Sequence, residues 1–252
     1  MRESREVMGT PMTIEVAAAP SAAVSGAIAA AFASLAADDA RFSTYRPDSE
    51  VSAINAGRIG PSAFTPLMRE VLRLSAETKA ATHGYFDVER GDGTLDPSGL
   101  VKGWALRRAA QVLRERGCTD FFVDGGGDVD VRGTRFGEPW SVGIRNPFAP
   151  DQVVKVLTLR DRGIATSGTY LRGAHIYDPT RRHAAADQVA SMTVVGPDVY
   201  EADRFATAAF AMGTAGITFI AGLPGFDGYA IGTDGFATMT PGFTAYTAVP
   251  PC

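Results

Sequence analysis

Residues 95–133 read LDPSGLVKGWALRRAAQVLRERGCTDFFVDGGGDVDVRG, and the order of elements in this stretch decides the fold. A tight acidic turn leads into a helix, and the helix into a strand that stops at three glycines between two aspartates. Trp104, Ala105, Ala109, Val112 and Leu113 recur at helical spacing, and Gly117 supplies a stop. Phe121, Phe122 and Val123 form a short apolar run of the kind that builds a buried strand. At Gly125, Gly126 and Gly127 no side chain keeps a ligand from the backbone N–H groups. Asp96, Lys102, Asp124 and Asp128 all fall near the ends of these elements. A lysine beside carboxylates at a helix start suits a phosphate with a divalent metal. A glycine-rich loop with a solvated lysine is the plainer alternative.

Composition bounds the rest. The 252 residues are 45% hydrophobic and 21% charged, enough for one large domain or two small ones. A net charge of -4 and a pI near 5.4 argue against a nucleic-acid partner, and no polybasic membrane patch is present. Cys118 and Cys252 make neither a disulfide framework nor a CxxC pair. Residues 1–10 lack the apolar core of a signal peptide and a lipobox-like cysteine. The Ala-rich residues 17–37, interrupted by Pro20 and several serines, are weak as a membrane segment. As written, the chain reads as soluble and cytoplasmic; an exported chain without its leader would read the same.

In chain order, residues 7–16 end in an alternating strand pattern with Met8 and Gly9 just ahead of it. Residues 21–40 read as a helix with Ile28, Phe32 and Leu35 along one face. Pro47 bars helix through its predecessor, and Asp48 or Ser49 can cap a short helix carrying Val51 and Ile54. Tyr45 therefore sits in a bend between helices, as a core plug or as a ligand stacker. Thr65-Pro66 opens a further helix, running to around Thr82. Residues 138–146 form a strand with residues 153–159 as its hairpin partner. Residues 163–170 read as a hydroxyl-rich strand edge, and HIYDP at 175–179 is followed by two arginines.

Residues 189–196 are a strand, and Pro197-Asp198 starts a helix whose buried face is Ala202, Phe205, Ala206, Ala209 and Phe210. Asp203 and Thr207, four apart, share one side of that helix. They are a plausible oxygen-ligand pair for magnesium, or a back-bonded threonine beside a surface aspartate. A short helix and a hairpin turning at Asp234-Gly235 complete the chain. Strands and helices do not alternate regularly, which gives an α+β class built on largely antiparallel sheet.

MGTPMTIEV, FSTYRPDSEVSAINA, GYFDVE, LDPSGLVKGWALRRAAQVL, FFVDGGGDVDVRG, ATSGTY, HIYDP and SMTVVGPDVYEADRFATAAFAMG follow one another in this order. Together with the closing hairpin, they resemble the ApbE family of bacterial FAD:protein FMN transferases over almost the whole chain. The resemblance implies one domain over residues 1–252, with antiparallel sheets and helices packed around a central FAD cleft. It implies magnesium-dependent transfer of FMN from FAD to a Ser or Thr hydroxyl of an acceptor protein, with release of AMP. Two alternatives share the same site: a magnesium-dependent FAD pyrophosphatase and a non-catalytic FAD-binding protein.

The resemblance also assigns residues. Met8 and Tyr45 would line the flavin or adenine part of the cleft. Tyr85, Phe86 and Asp87 would hold the other portion of FAD, with Asp87 accepting hydrogen bonds from the nucleoside. Asp96 and Lys102 would flank the pyrophosphate. Asp203 and Thr207 would bind the metal with their side chains, helped by the Gly99 and Ala206 carbonyls. His175 would stand near the reacting phosphate as the base, and Tyr177 would touch the cofactor. Lys102 and Asp203, through the metal, would stabilise the developing charge. Two departures stand out. Asp178-Pro179 is followed by Thr180, Arg181 and Arg182 where the family usually has any residue, Thr and Gly. The segment between Asp87 and Asp96 is much shorter than in typical members.

Overall fold

The computed structural model describes residues 1–168, 177–178, 183–184 and 188–247. The chain opens with two strands, β1 (Arg2–Val7) and β2 (Thr10–Val16), joined by a two-residue turn. Both turn residues have positive φ, 53° at Met8 and 66° at Gly9. That is the turn whose twist matches a hairpin, and it is why a glycine stands there. Four helices follow: α1 (Ala22–Phe42), α2 (Glu50–Asn55), α3 (Pro66–Ala81) and α4 (Ser98–Glu115). Three of them start on a side-chain cap. Ser21 Oγ accepts from Val24 N, Ser49 Oγ from Ser52 N, and Thr65 Oγ1 from Met68 N.

Strands β3 (Phe121–Gly125), β4 (Val129–Arg132), β5 (Trp140–Asn146), β6 (Ala149–Leu159) and β7 (Arg162–Gly168) come next. Short strands β8 (Tyr177–Asp178) and β9 (His183–Ala184) pair with each other, and β10 (Val189–Gly196) returns to the main sheet. Helices α5 (Val199–Ala211) and α6 (Gly216–Ala221) precede the closing hairpin, β11 (Asp227–Gly232) and β12 (Ala237–Met239). The main sheet has eight strands in the order β1-β2-β3-β4-β7-β10-β11-β12, every pair antiparallel. β7 therefore lies inside the sheet, between β4 and β10, and not at its edge as its hydroxyl-rich sequence suggests. Its hydroxyls are absorbed by neighbours: Thr166 Oγ1 meets Thr193 Oγ1 at 2.8 Å.

The two-residue period of the strands divides the core between the faces of this sheet. Met12, Ile14, Phe121 and Val123 point to one face, where α1 and α4 cover them. On the same face Ala165, Met192 and Val194 meet α5 and α6. Val129, Val131, Ile164 and Val195 point the other way, onto the β5–β6 hairpin with Trp140, Ile144 and Leu157. Among the described residues, α1 is the one helix long and apolar enough to cross a membrane by length and composition. Here its Ala27, Ile28, Ala31, Phe32 and Leu35 are buried in the core.

The start of α5 is fixed with particular care. Asp198 Oδ1 caps Glu201 N, and the fully buried Asp130 accepts from Val199 N at 3.0 Å and pairs with Arg132 at 2.7 Å. A Cβ on Gly163 would lie 2.0 Å from the Asp198 carbonyl carbon, so the β7 backbone touches the helix start directly. Burial pushes the Asp130 carboxyl up to about 6, against the opposing pull of Arg132.

A second buried carboxylate ties the helices together. Asp38 of α1 accepts from Arg108 Nε of α4 at 3.1 Å. Nearby, Arg41 pairs with Glu50 at 3.1 Å, and Glu50 in turn accepts from Thr65 N and Thr65 Oγ1, both at 2.7 Å. Burial raises the Asp38 carboxyl to about 6, with Arg108 the main opposing influence. Because the folded value exceeds the unfolded one, this group's contribution to stability is fully present below about pH 4 and is lost as pH rises through about 6. Asp38→Asn cannot lose a proton. Its melting temperature should therefore gain on the wild type by a few degrees as pH is raised from about 4 to about 7. A difference that stays constant across that range would show that Asp38 titrates as it does in the unfolded chain.

Candidate active site

The helix face of the sheet ends in a cleft of about 460 Å³ above the β1–β2 turn. Met8, Gly9, Phe42, Ser43, Thr44, Tyr45, Ser98, Val101 and Lys102 line it, with Asp39 at its side. The volume falls in the range usual for small-molecule sites. Tyr45 is 90% exposed. That decides between the two roles its sequence position allows: it is not a core plug, and its ring is open to stack on a planar ligand.

The second wall is the start of α4, and here the four-residue spacing of the sequence has a structural use. Gly99 and Gly103 face α5. A Cβ on Gly99 would stand 3.5 Å from both Phe86 Cε2 and Thr207 Cγ2. On Gly103 it would stand 2.7 Å from Asp203 Cβ. The absent side chains let α4 close onto α5, and Gly103 N donates to the buried Asp203 Oδ2 at 2.8 Å. In an α-helix that N–H serves the carbonyl four residues back, so Gly99 C=O shares its helical donor with Asp203. Thr207 Oγ1 lies 3.4 Å from Ser167 Oγ of β7. Ala206 is fully buried on the same helix.

Gly99, Asp203 and Thr207 are thus brought together, and all the atoms they offer are hard oxygens. A carboxylate, a hydroxyl and a helix carbonyl are a donor set that suits magnesium. Among the described residues, no group of three or more His, Cys, Asp or Glu side chains gathers in one place. A metal held here would rest on the mixed oxygen set just named.

Lys102 projects from the same turn of α4 and ion-pairs with the buried Asp128 of the glycine turn. Asp128 also accepts from Thr166 N at 3.0 Å, which fixes the carboxylate against β7. Asp124, at the other end of that turn, faces the opposite side of the sheet. It lines a second cleft of about 570 Å³ with Arg2, Glu15, Arg135 and Arg145. Burial raises its carboxyl, and Gly127 N donates to it at 2.8 Å. The three glycines therefore turn one aspartate toward Lys102 and send the other away.

The remaining described candidates are not among the residues that line this cleft. Asp87 pairs with Lys79 at 2.6 Å and accepts from Glu89 N. Tyr85 is half-buried, whereas Phe86 is 4% exposed and belongs to the core beneath Gly99. Asp96 accepts from Ser98 N at 3.1 Å at the start of α4 and ion-pairs with Arg90. His175 and the Tyr177 side chain lie outside the described residues. Asp39, Asn55, Lys79, Arg90 and Ser167 were not candidates in the sequence. Asn55 donates to Leu95 O at 2.9 Å and accepts from Leu95 N at 2.8 Å, clamping the residue before Asp96. Its place at the end of a capped helix was legible, but its partner 40 residues on was not.

Comparison with known proteins gives the arrangement a context. A family model described as the ApbE family matches residues 8–93 and 89–229. An FAD:protein FMN transferase of Vibrio cholerae is 33% identical over 129 residues, covering 47% of this chain and 39% of that protein. One from Klebsiella pneumoniae is 24% identical over 270 residues, covering 82% and 77%. Against the Vibrio cholerae relative the chain spans about two-fifths of the other protein's length. Among solved structures, the ApbE protein from Thermotoga maritima superposes with a TM-score of 0.85 at 22% identity, covering 99% of each chain. The flavin transferase ApbE from Vibrio cholerae gives 0.85 at 24% identity over 98% of each. At such identities these two structures bear on the fold.

Proposed function

Because the chain belongs to the ApbE family, we propose that it is a magnesium-dependent FAD:protein FMN transferase, moving FMN to a Ser or Thr hydroxyl of an acceptor protein and releasing AMP. The observation that carries this reading is the meeting of α4 and α5. Gly99 and Gly103 bring Asp203 and Thr207 within reach of a cleft that also holds Lys102 and an open tyrosine ring.

The chemistry follows from the groups present. The acceptor oxygen forms a bond to the FMN-side phosphorus, the bond from that phosphorus to the AMP phosphate breaks, and the hydroxyl proton passes to a base. Negative charge builds on the phosphoryl oxygens and on the leaving AMP, and stabilising it is the main service a protein gives in phosphoryl transfer. Bound magnesium would supply Lewis-acid stabilisation of that charge. Lys102, held by Asp128, supplies a fixed positive charge beside it. Tyr45 and Met8 hold a planar ring of the dinucleotide. His175 takes the hydroxyl proton, a role suited to an imidazole near neutral pH.

Incubating the protein with FAD, Mg²⁺ and a candidate acceptor tests the assignment. AMP together with FMN covalently on the acceptor establishes a transferase. AMP with free FMN establishes a pyrophosphatase instead, and intact bound FAD a flavin-binding protein. The stacking role has its own test. Tyr45→Ala should weaken FAD binding by roughly 1–3 kcal/mol, the scale of base–aromatic stacking. An unchanged affinity in a folded variant would take Tyr45 out of the site.

A further inference from the structure

We propose that Arg90 is a pyrophosphate-binding residue, its guanidinium held at the cleft rim by Asp96 so that its other N–H groups meet the diphosphate of FAD. The inference rests on the flavin-nucleotide reading of the site and adds to it a residue of the shortened 88–95 turn.

The turn is built to hold this side chain in place. Asp96 N donates to Val88 O at 2.8 Å, and Arg90 N to Thr94 O at 2.8 Å. Within the turn Asp92 Oδ1 accepts from Thr94 N and Thr94 Oγ1. Asn55 clamps Leu95 from outside through both its amide atoms. From this tied loop the Arg90 side chain reaches Asp96. Asp96 meanwhile caps Ser98 N, and Ser98 lines the cleft with Lys102. The guanidinium is therefore one residue removed from the cleft wall.

Charge explains what it would do there. Asp39 and Lys102 line the cleft, Asp128 pairs with Lys102, Asp203 accepts from the adjacent Gly103 N, and Asp96 caps Ser98 of the cleft lining. A diphosphate entering this surround is repelled by each carboxylate that lacks a counter-charge. Lys79 pairs with Asp87 and Lys102 with Asp128, both carboxylates more buried than their lysines. Arg90 is the most exposed of these three cations, its side chain 52% exposed against 46% for Lys79 and 19% for Lys102. It has five N–H donors in a planar fork, of which the bond to Asp96 engages one terminal nitrogen. The remaining edge suits a bidentate contact with phosphate oxygens. Because the fork is already positioned, little side-chain freedom is lost on binding.

The test measures binding, without added metal, of FAD, ADP and riboflavin to the wild type and to Arg90→Ala, Arg90→Lys, Asp96→Asn and the Arg90→Ala/Asp96→Asn double variant. Arg90→Ala should weaken FAD and ADP about tenfold to a hundredfold, the scale of a charge-assisted hydrogen bond, and leave riboflavin unchanged. Arg90→Lys should recover part of the loss, and the salt dependence of FAD binding should flatten in Arg90→Ala. A smaller loss should remain when Arg90 is removed from Asp96→Asn, because the guanidinium there is present but no longer held. If it vanishes in that background, Arg90 acts only through Asp96 and the proposal is wrong. Unchanged FAD and ADP affinity in folded Arg90→Ala overturns it while leaving the flavin reading standing. A wild type that binds neither FAD nor ADP removes that reading and this inference together.

Discussion

Asp203→Asn should cut turnover by about a hundredfold or more and raise the magnesium concentration needed for activity. Outer-shell partners of bound metals cost roughly 10–100-fold when removed, and a direct ligand should cost at least as much. The substitution separates charge from shape. Asparagine keeps an oxygen that can accept from Gly103 N, now 2.8 Å from Asp203 Oδ2, so the α4–α5 contact survives. What is lost is the negative charge opposite a hard cation. FAD binding measured without metal should change little, since Tyr45, Met8 and Lys102 line the cleft and are untouched by the substitution. Thr207→Val removes a hydroxyl at nearly constant volume and should move the magnesium dependence in the same direction by a smaller amount. If both variants keep the wild-type dependence, the cation sits elsewhere and the oxygen set around Gly99 is only a packing contact.

The residues in this argument were unequally legible. Asp203 and Thr207 could be placed on one helix face because their spacing is that of a turn, and the cap at Asp198 fixed where the helix begins. The cap at Thr65, the Asp48-or-Ser49 cap and the Asp234-Gly235 turn were legible for the same reason: each is a local pattern with a local cause. Long-range pairings carry no such signal. Nothing in the sequence joins Lys102 to Asp128, Asp87 to Lys79, or Gly103 to Asp203 across 100 residues. β1 was hidden because an edge strand packed on one side only can be almost wholly charged, and RESREV shows little of the alternation that marks a strand. β7 read as an edge because its hydroxyls look solvated, whereas Thr166 is bonded to Thr193 of the neighbouring strand and Ser167 meets Thr207 of α5. Phe86 shows the converse limit. A residue in an aromatic motif of the cleft is itself core, and it bears on the site by supporting Gly99 from below.

His175→Asn should abolish most transfer, by about 10²–10⁴-fold, while FAD and Mg²⁺ still bind. That range is the usual contribution of a positioned general base. The reasoning starts from the acceptor. A serine or threonine hydroxyl is a weak nucleophile until its proton is removed, and the described carboxylates near the cleft other than Asp39 are already engaged with cations or amides: Asp87, Asp96, Asp128 and Asp203. A neutral imidazole can accept the proton near neutral pH without giving up a structural bond of that kind. A histidine base therefore predicts a particular pH signature: transfer rising with pH as the imidazole loses its proton in the wild type, and that dependence lost in His175→Asn. Hydrolysis of FAD by water, if the protein carries it out, should fall by less, because the leaving-group stabilisation from Lys102 and the metal is untouched. A variant that transfers FMN at near the wild-type rate with the same pH profile would leave His175 a structural residue. The base would then be one of the carboxylates, with Asp178, in the same motif, the first to substitute.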